Sequence, residues 1–396
     1  MKDTVKYRFG SYTTKIIFSN RFNDLPQEEK RRRLFIFDEK TNRLFGEEIA
    51  GSLVSRHAAK VVLPPGEEAK CWESVSTILD AAVRNGYGRD CQFVGVGGGI
   101  ICDLSAFAAS VYMRGCGLIL VPTTLLAMVD ASLGGKTGFN FAGYKNMVGT
   151  FFPAETILQV PSVLSTLPEK EMLSGLAENI KHACLGDESL FRILEERKNE
   201  ILEKEPAVLS EMIGKSVAVK AAVVEQDLTE TGIRAHLNLG HTFAHALESV
   251  RNLTGSSHGE AVAWGLAMAV KTGVELGITD EEYGTRIVRL LRDYGFDLEE
   301  LPFQGKGDLP LETDPKLAWA QQNLAAAPVE LNTASRSDLL RVPGVGPKSA
   351  DTILAARRQN KLRSLSQLKK LGIQAEKAKP FILLDGKAPA RQLRMF

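Results

Sequence analysis

Histidines concentrate in one short stretch of this 396-residue chain. His241, His245 and His258 lie within residues 240–260, and His236 comes shortly before them. His241 and His245 are spaced i,i+4, which places both imidazoles on one face of a helix. Zinc in enzymes usually takes three protein ligands and keeps one position open. The spacing therefore predicts a metal site completed by a carboxylate from elsewhere in the chain, and the alternative is a helix with surface histidines.

A second group of residues is suited to bind an anion. The run Asp130–Gly138 contains an acid, a cation and three glycines, and Lys145 and Asn146 follow in what we interpret as the same loop-rich stretch. Glycine turns beside lysines suit a phosphate group. The P-loop pattern Gly-x-x-x-x-Gly-Lys-Ser/Thr is absent. Asp130, Lys136 and Lys145 therefore predict an anion site of another kind, and a solvent-exposed loop is the alternative.

Glycines also follow an apolar run, as they do in many nucleotide-binding folds. Gly95-Val-Gly97-Gly98-Gly99 comes directly after Phe93-Val94 and precedes a helical pattern over Asp103–Tyr112. Backbone amides at a glycine turn and a helix N-terminus can approach a pyrophosphate. The spacing is not Gly-x-Gly-x-x-Gly, so a tight structural turn is nearly as good an interpretation.

Charged residues in the second half of the chain could join either site. Glu178 and Lys181 are spaced i,i+3, which usually indicates a surface ion pair, although Glu178 could also be the missing metal ligand. Lys220 lies in an otherwise apolar stretch, where it either extends to solvent or binds an anion. Arg234 precedes His241 and adds a cation to the same region.

The elements that position these residues change character along the chain. Short apolar runs alternate with helical patterns over residues 1–160, which predicts a parallel sheet covered by helices. Long helical patterns dominate residues 161–305. Prolines and glycines over residues 306–327 indicate a linker, and residues 328–396 form a tail of short helices. The predicted fold class is therefore α/β plus all-α.

Composition limits the classes of protein to consider. The chain is 44% hydrophobic and 24% charged, which is typical of a globular protein. It has no apolar run of membrane-spanning length and no signal-peptide pattern. The five cysteines are scattered without a Cys-x-x-Cys pair, so we expect a cytoplasmic protein without disulfides. From residue 331 onward there are fourteen Lys/Arg against four Asp/Glu, leaving 35 against 44 in the rest, so body and tail have opposite charge.

Taken together, these segments closely resemble the 3-dehydroquinate synthase family, in the family's order over about residues 10 to 300. The matching strings are Leu63–Lys70, Gly97–Asp103, Arg114-Gly115, Pro122–Ala127, Asp130–Gly138, Lys145–Gly149, Ala177–Lys181, Arg234–Glu248 and His258–Val262. The resemblance implies a Rossmann-like NAD-binding domain followed by an α-helical metal-binding domain, assembled as a homodimer. It also implies 3-deoxy-D-arabino-heptulosonate 7-phosphate as substrate, with NAD and Zn²⁺ or Co²⁺ as cofactors.

The resemblance also implies residue roles. Its metal ligands are Glu178, His241 and His258, so His245 becomes a substrate contact and not a ligand. The other residues implied around the substrate are Arg114, which reaches the neighbouring subunit, and Asp130, Lys136, Lys145, Asn146, Lys181, Lys220, Glu230, Arg234 and Asn238. The implied NAD contacts are Asp38, Glu67, Lys70, Gly98, Gly99, Asp103, Thr123 and Thr124, with Asp130, Lys136 and Lys145 shared with the substrate.

The chain departs from the family after about residue 305. The family's closing segment carries Asp-Lys-Lys, whose lysine meets the substrate phosphate, and no such segment is found. Residues 331–373 instead resemble a helix-hairpin-helix module. Residues 311–381 are also similar to the end of a radical-SAM family associated with DNA repair, but without its cluster-binding cysteines. The cations that predict nonspecific DNA contact are Lys348, Arg357, Arg358, Lys361 and Arg363.

A dehydroquinate synthase with a replaced C-terminal end is the leading hypothesis. The rivals are another sugar-phosphate cyclase, an NAD- and metal-dependent polyol dehydrogenase, and an inactive synthase body fused to a DNA-binding tail. An arginine such as Arg234 can clamp a substrate carboxylate, which favours the synthase.

Overall fold

The protein forms two compact units. A computed structural model describes residues 3–25, 31–53, 58–250, 257–298, 315–325 and 327–389. The first unit comprises Met1–His241 and Ser257–Phe296, and the second comprises Thr242–Ser256 and Asp297–Phe396. Among the described helices, none is long and apolar enough to cross a membrane.

Residues 3–159 of the first unit contain a seven-stranded sheet. Its strands run in the order β1-β2-β9-β6-β5-β3-β4, and every pairing is parallel except that of β1 with β2. All residues of β5 and β6 are buried, which explains their continuous apolar sequences. The strands of this unit are β1 Asp3–Phe9, β2 Tyr12–Phe18, β3 Arg33–Asp38, β4 Ala59–Leu63, β5 Gln92–Gly97, β6 Gly117–Pro122, β7 Lys136–Phe141, β8 Tyr144–Phe151 and β9 Thr156–Gln159.

Three helices connect these strands: α1 Glu39–Leu53, α2 Trp72–Arg84 and α3 Gly99–Val111. Helix α3 begins at Gly99, earlier than the sequence pattern predicted, so the glycine run forms its N-terminus. Its N-terminal amides therefore lie at the carboxyl end of β5, where open α/β sheets bind their ligands.

Strands β7 and β8 form a separate two-stranded antiparallel sheet. The interpretation of residues 130–146 as one loop-rich stretch was therefore wrong for its second half. Ala142 and Gly143 both have positive φ, 52° and 81°, which matches the two-residue turns that suit the twist of a hairpin. Asp130 lies instead at the end of a short π-helical segment, Ala127–Ala131.

Helices make up the rest of the first unit, as predicted. The sequence pattern over residues 189–204 corresponds to two helices, because the chain breaks at Arg197. The helices of this unit are α4 Glu169–Gly186, α5 Glu188–Glu196, α6 Lys198–Leu202, α7 Pro206–Gln226, α9 His258–Glu275 and α10 Glu281–Asp293. Helix α8, His241–Val250, begins at the last residue of the unit's first segment and otherwise belongs to the second unit. Helix α4 packs against both α7 and α9. The α/β plus all-α fold class is thereby confirmed.

The described tail has a core of its own, built from short elements. Leu339, Val345, Ile353 and Leu368 are buried in it. The elements are α11 Pro315–Asn323, β10 Val329–Glu330, α12 Arg336–Arg341, α13 Pro347–Gln359, α14 Leu365–Lys370, α15 Ala375–Ala378 and β11 Ile382–Leu383. Helix α11 lies within the predicted linker, yet its Ala320 belongs to this core. Residues 299–314, where the Asp-Lys-Lys segment was sought, are outside the described residues.

Candidate active site

Glu178, His241 and His258 converge in the first unit. The Nε2 atoms of His241 and His258 each lie 3.7 Å from Oε1 of Glu178. One donor atom from each residue lies within 4.8 Å of the others. A tetrahedral zinc ion about 2.1 Å from its ligand atoms separates them by about 3.4 Å. These separations therefore fit a single divalent cation between the three side chains.

Close packing of α9 on α4 brings the ligands together. A Cβ atom at Gly259 would lie 2.2 Å from the Cα of Ser174, so only glycine allows this approach. The Gly259 N–H donates to the Ser174 hydroxyl at 3.1 Å. Ser257 caps α9 through a capping box with Glu260. His258 is thereby fixed at the start of α9, next to the contact with Ser174, which lies one helical turn before Glu178 on α4.

Glu178 is an ionised carboxylate in a fully buried position. Burial opposes its ionisation, but Lys181, His258 and His241 hold its pKa well below the usual value. Apart from the Lys181 ion pair, neither of its oxygens has a hydrogen-bond partner among the described residues. Both side chains are at most 2% exposed, so the interpretation of this pair as a surface ion pair was wrong. An unsatisfied buried oxygen, Oε1, beside two imidazoles fits a resident metal ion.

The state of His241 also fits metal binding. Burial lowers its pKa, which favours the neutral imidazole that metals require. Its Nδ1 lies 3.5 Å from the carbonyl oxygen of Leu239, a contact that leaves Nε2 for a ligand bond.

A cavity of about 440 Å³ collects many of the residues implied around the substrate. Asp130 connects it to the metal cluster, since its carboxylate also lies within 4.8 Å of Glu178. The implied site residues that line it are Asp103, Asp130, Lys136, Asn146, Lys220 and Arg234. Three cations facing one concave space suit a substrate that carries several negative charges.

Ion pairs hold these cations in place. Lys220 donates to Oδ1 of Asp130 at 2.5 Å and to its backbone oxygen at 2.6 Å. Burial raises the pKa of Asp130, but the charge of Lys220 outweighs it and lowers that pKa to about 2. Lys136 pairs with Glu230, whose other oxygen accepts from Asn238 at 2.7 Å.

Arg234 is held from its backbone and from its side chain. Its guanidinium is buried and donates to the carbonyl oxygens of Gly134 and Leu228. Its backbone N–H donates to Oδ2 of Asp227 at 3.1 Å. The guanidinium is therefore positioned by the loop that follows α7.

Residues implied to contact NAD lie at the carboxyl ends of the parallel strands. Lys70 bridges Oδ2 of Asp103 at 2.5 Å and Oδ1 of Asn146 at 2.6 Å. Burial raises the pKa of Asp103 to about 6, although Lys70 opposes the shift. Gly98 caps α3, and a Cβ there would lie 3.2 Å from Thr124. Thr123 follows β6 and is buried, and Asp38 ends β3, where it accepts from the Thr41 N–H.

Other implied site residues have different surroundings. Lys145 is exposed on β8. Arg114 is exposed in a turn where Met113, Arg114 and Gly115 all have positive φ, a strained conformation for the first two. His236 is exposed in a 3-10 turn. His245 lies in α8, but its side chain is outside the described residues. The predicted i,i+4 convergence of His241 and His245 therefore stays a prediction.

Sequence reasoning missed His182, Asn140 and Asp227. His182 is fully buried, and one ring nitrogen lies within 4.8 Å of Asp130 and Glu178. Its Nδ1 lies 2.7 Å from the Ser216 hydroxyl, and burial and Lys181 lower its pKa to about 3. Its i,i+4 spacing from Glu178 could have indicated it. Asn140 contacts Glu67 and Lys70 in a distant segment, for which the sequence carries no local signal. Asp227 instead accepts from backbone N–H groups four to seven residues further along the chain, so an aspartate at the start of this loop could have indicated it.

Comparison with family models gives three matches. Residues 60–174 match the N-terminal 3-dehydroquinate synthase model, and residues 175–310 match the C-terminal one. Residues 325–380 match a helix-hairpin-helix motif. The resemblance of the body to the 3-dehydroquinate synthase family and that of the tail to a helix-hairpin-helix module are therefore confirmed.

Individual proteins give the same assignment. The chain is 42% identical to the 3-dehydroquinate synthase of Pseudomonas putida (strain W619) over 270 residues, which cover 68% of this chain and 74% of that one. It is 40% identical to that of Methylococcus capsulatus over 258 residues, 65% of this chain and 72% of the other.

Solved structures share the fold. A 2-epi-5-epi-valiolone synthase from Streptomyces hygroscopicus, solved with NAD⁺ and Zn²⁺, superposes with a TM-score of 0.67 at 29% identity, covering 74% of this chain and 83% of that one. A 2-deoxy-scyllo-inosose synthase, solved with carbaglucose-6-phosphate, NAD⁺ and Co²⁺, gives 0.66 at 25% identity, covering 79% and 84%.

Proposed function

The chain belongs to the 3-dehydroquinate synthase family, and we propose that it converts 3-deoxy-D-arabino-heptulosonate 7-phosphate to 3-dehydroquinate and inorganic phosphate. The convergence of Glu178, His241 and His258 beside the cationic cavity carries this proposal. A site for a divalent cation next to bound phosphate and carboxylate groups is what this substrate requires.

We assign Glu178, His241 and His258 as the ligands of Zn²⁺, with Co²⁺ as the alternative ion. NAD occupies the carboxyl ends of the parallel strands, near Lys70 and Asp103. The metal held there would polarise the substrate hydroxyls, and the dinucleotide would supply reversible hydride transfer, so that it would end the reaction in its oxidised form. We propose that residues 1–160 form the NAD-binding domain and that residues 161–305 form the metal-binding domain.

The chain's own residues bind and orient the substrate. Arg234 binds the carboxylate, because its guanidinium is buried and faces the cavity. Lys136 and Asn146 bind the phosphate, with Lys145, Asn238 and His245 completing its surroundings. Asp130, Lys181, Lys220 and Glu230 hold the sugar hydroxyls. The phosphate's own oxygen can then remove the neighbouring proton as phosphate leaves, so most of the protein's contribution is positioning and electrostatics.

The test is a coupled assay on the full chain that follows phosphate release and dehydroquinate formation together. We expect equal amounts of both products, no accumulation of NADH, loss of turnover with a chelator and recovery with Zn²⁺. His241→Ala and His258→Ala should each lose turnover. Steady NADH release from a polyol would support the dehydrogenase instead, and turnover only of sugar phosphates that lack a carboxylate would support another cyclase.

We also propose that the chain forms a homodimer in which Arg114 contacts the phosphate site of the second subunit. Its exposure, in a turn with strained backbone, supports this role. Light scattering tests the assembly, and Arg114→Ala should raise KM for the sugar phosphate without changing the zinc content.

DNA binding by the tail is a second proposed function, supported by the helix-hairpin-helix match at residues 325–380. Gly344, with φ of +81°, makes the turn between α12 and α13, and Lys348 is exposed in the first turn of α13. Backbone amides and a cation at a helix N-terminus suit a DNA phosphate. Retention on duplex DNA that weakens steeply with salt is the expected result.

A further inference from the structure

Asn140 interrupts the pairing of β7 and β8. The register shifts between Phe139 and Phe141, so Asn140 lies at an irregularity of the ladder, opposite residues 145–147. Like the bulges that often occur beside active sites, such an irregularity leaves a residue outside the ladder. Here the Asn140 N–H donates to the carbonyl oxygen of Lys70 at 2.8 Å, which connects the hairpin to the segment between β4 and α2.

The side chain of Asn140 makes two further contacts with site residues. Its Nδ2 donates to Oε1 of Glu67 at 2.8 Å. Its Oδ1 accepts from the backbone N–H of Asn146 at 2.9 Å. Asn146 has a φ of +52°, and this backbone conformation is less common and needs support from neighbouring contacts.

Lys70 completes the connection from the other side. Its ammonium donates to the side chains of both Asp103 and Asn146. Asn146 is therefore held at its backbone by Asn140 and at its side chain by Lys70. Both of those residues belong to one hydrogen-bonded network with Glu67 and Asp103, so the position of Asn146 is connected directly to the segment Glu67–Lys70.

We propose that Asn140 is a positioning residue that couples the dinucleotide site to the phosphate site. The inference rests on the proposed function, which assigns Glu67, Lys70 and Asp103 to NAD and Asn146 to the phosphate. A dinucleotide that orders Glu67 and Lys70 also orders Asn146, so the second ligand binds a network that is already arranged. By linkage, phosphate tightens NAD binding by the same factor as NAD tightens phosphate binding.

Calorimetry of NAD binding to the full chain, with and without inorganic phosphate, tests this coupling. In the wild type we expect phosphate to lower the Kd of NAD about fivefold or more. Asn140→Ala removes both side-chain contacts and should abolish the effect. Asn140→Asp keeps the acceptor for Asn146 but loses the donor to Glu67, so it should also lose the coupling while KM for the sugar phosphate rises less than in Asn140→Ala.

Asn85→Ala is the matched control, because the Asn85 amide donates to Ala81 at the exposed end of α2, outside this network. It should keep the coupling of the wild type, and thermal melts establish that every variant is folded. The inference is overturned if phosphate leaves the NAD affinity of the wild type unchanged, or if folded Asn140→Ala keeps the full effect. A wild type that shows coupling but makes no dehydroquinate would sink the proposed reaction alone, whereas an active wild type without coupling would sink only this inference.

Discussion

Glu178 carries a negative charge where water cannot solvate it. Its side chain is 1% exposed and is surrounded by Lys181, His241 and His258. Desolvating a carboxylate is costly unless it is paired or bound to a metal. One lysine satisfies part of this requirement, and the remaining oxygen lies 3.7 Å from the Nε2 atoms of both imidazoles. The residue is thus suited to anchor a metal more than to stabilise the fold.

Replacing Glu178 by glutamine should therefore lower the affinity for zinc. The amide keeps the shape of the side chain but removes the charge that attracts the ion. The Kd for zinc can be measured by competition with a chromophoric chelator. We expect it to rise at least about ten- to a hundredfold, which is the range typical of changes beside a metal site. Glu169→Gln, at the exposed start of the same helix, should bind zinc as the wild type does. Equal zinc affinities in both variants would remove Glu178 from the ligand set.

Lys220 and Asp130, in contrast to Glu178, should contribute to the stability of the fold, so the free energy of unfolding is the quantity to measure. Removing one partner of a buried ion pair costs about 3–5 kcal/mol. Because the Asp130 side chain is 34% exposed, we expect Lys220→Met to lower the free energy of unfolding by about 1–3 kcal/mol. Asp130→Asn in the same chain should restore most of the loss. Lys215→Met on the same helix α7 is the control, and a double mutant without recovery would show that the two residues act independently.

Residue types and spacing indicated which side chains matter but not which of them meet. The two histidines on one face of α8 suggested a pair of ligands, whereas the structure brings His241 to His258 and to Glu178 on α4. That arrangement depends on the close contact of Gly259 with Ser174, which is a tertiary packing event with no periodic signature in the sequence. Before the structure, only the family resemblance named Glu178, His241 and His258 together, and these are the side chains that the fold brings within 4.8 Å of one another.

The helices and strands also divide into those that the sequence predicted and those that it did not. Apolar runs predicted the buried strands β5 and β6 well, since a strand covered on both faces has a continuous apolar sequence. The hairpin of β7 and β8 was interpreted as a loop because its strands lie outside the large sheet and are mostly exposed. The π-helical turn that carries Asp130 was also missed, because such turns break the regular helical period by one residue and occur often at functional sites.

The loop after α7 is the element that positions Arg234, and Asp227 organises it. Its carboxylate accepts from the backbone N–H groups of Thr231, Gly232 and Arg234 at 3.0, 2.7 and 3.1 Å. These hydrogen bonds, that of Thr231 first, lower the pKa of Asp227. The negative charge is therefore part of the loop's structure.

The pH dependence of stability should report this role. The folded pKa of Asp227 lies below its unfolded value of about 3.9. Its contribution is therefore present above that value and is lost as the pH falls through the folded pKa. Between about pH 5 and pH 3 the Tm of the wild type should fall further than that of Asp227→Asn. The variant should also raise KM at neutral pH, and Asp80→Asn, on the exposed face of α2, should match the wild type in both measurements.

The charge of the whole molecule divides between the body and the tail. The tail from residue 331 onward carries a balance of +10 against −9 for the rest. Several tail cations nevertheless have internal partners. Arg357 donates to the carbonyl oxygens of Leu331 and Ala334, and Lys361 and Arg363 pair with Asp385. The net charge alone therefore overstates the number of cations that are available to bind DNA. Lys348 and Arg358 are two exposed cations that could do so.

If the tail binds DNA, these two cations should set much of its salt dependence. Each phosphate neutralised by a cation contributes a slope of about −0.9 to the logarithm of the association constant against the logarithm of salt concentration. The double variant Lys348→Ala/Arg358→Ala should therefore have a slope shallower by about 1.8, measured by fluorescence anisotropy with duplexes of unrelated sequence. Lys40→Ala/Lys60→Ala removes the same charge from exposed positions of the first unit and should keep the original slope. Equal slopes for both double variants would show that the helix-hairpin-helix face is not the surface that meets DNA, and that attraction by the overall charge accounts for any binding.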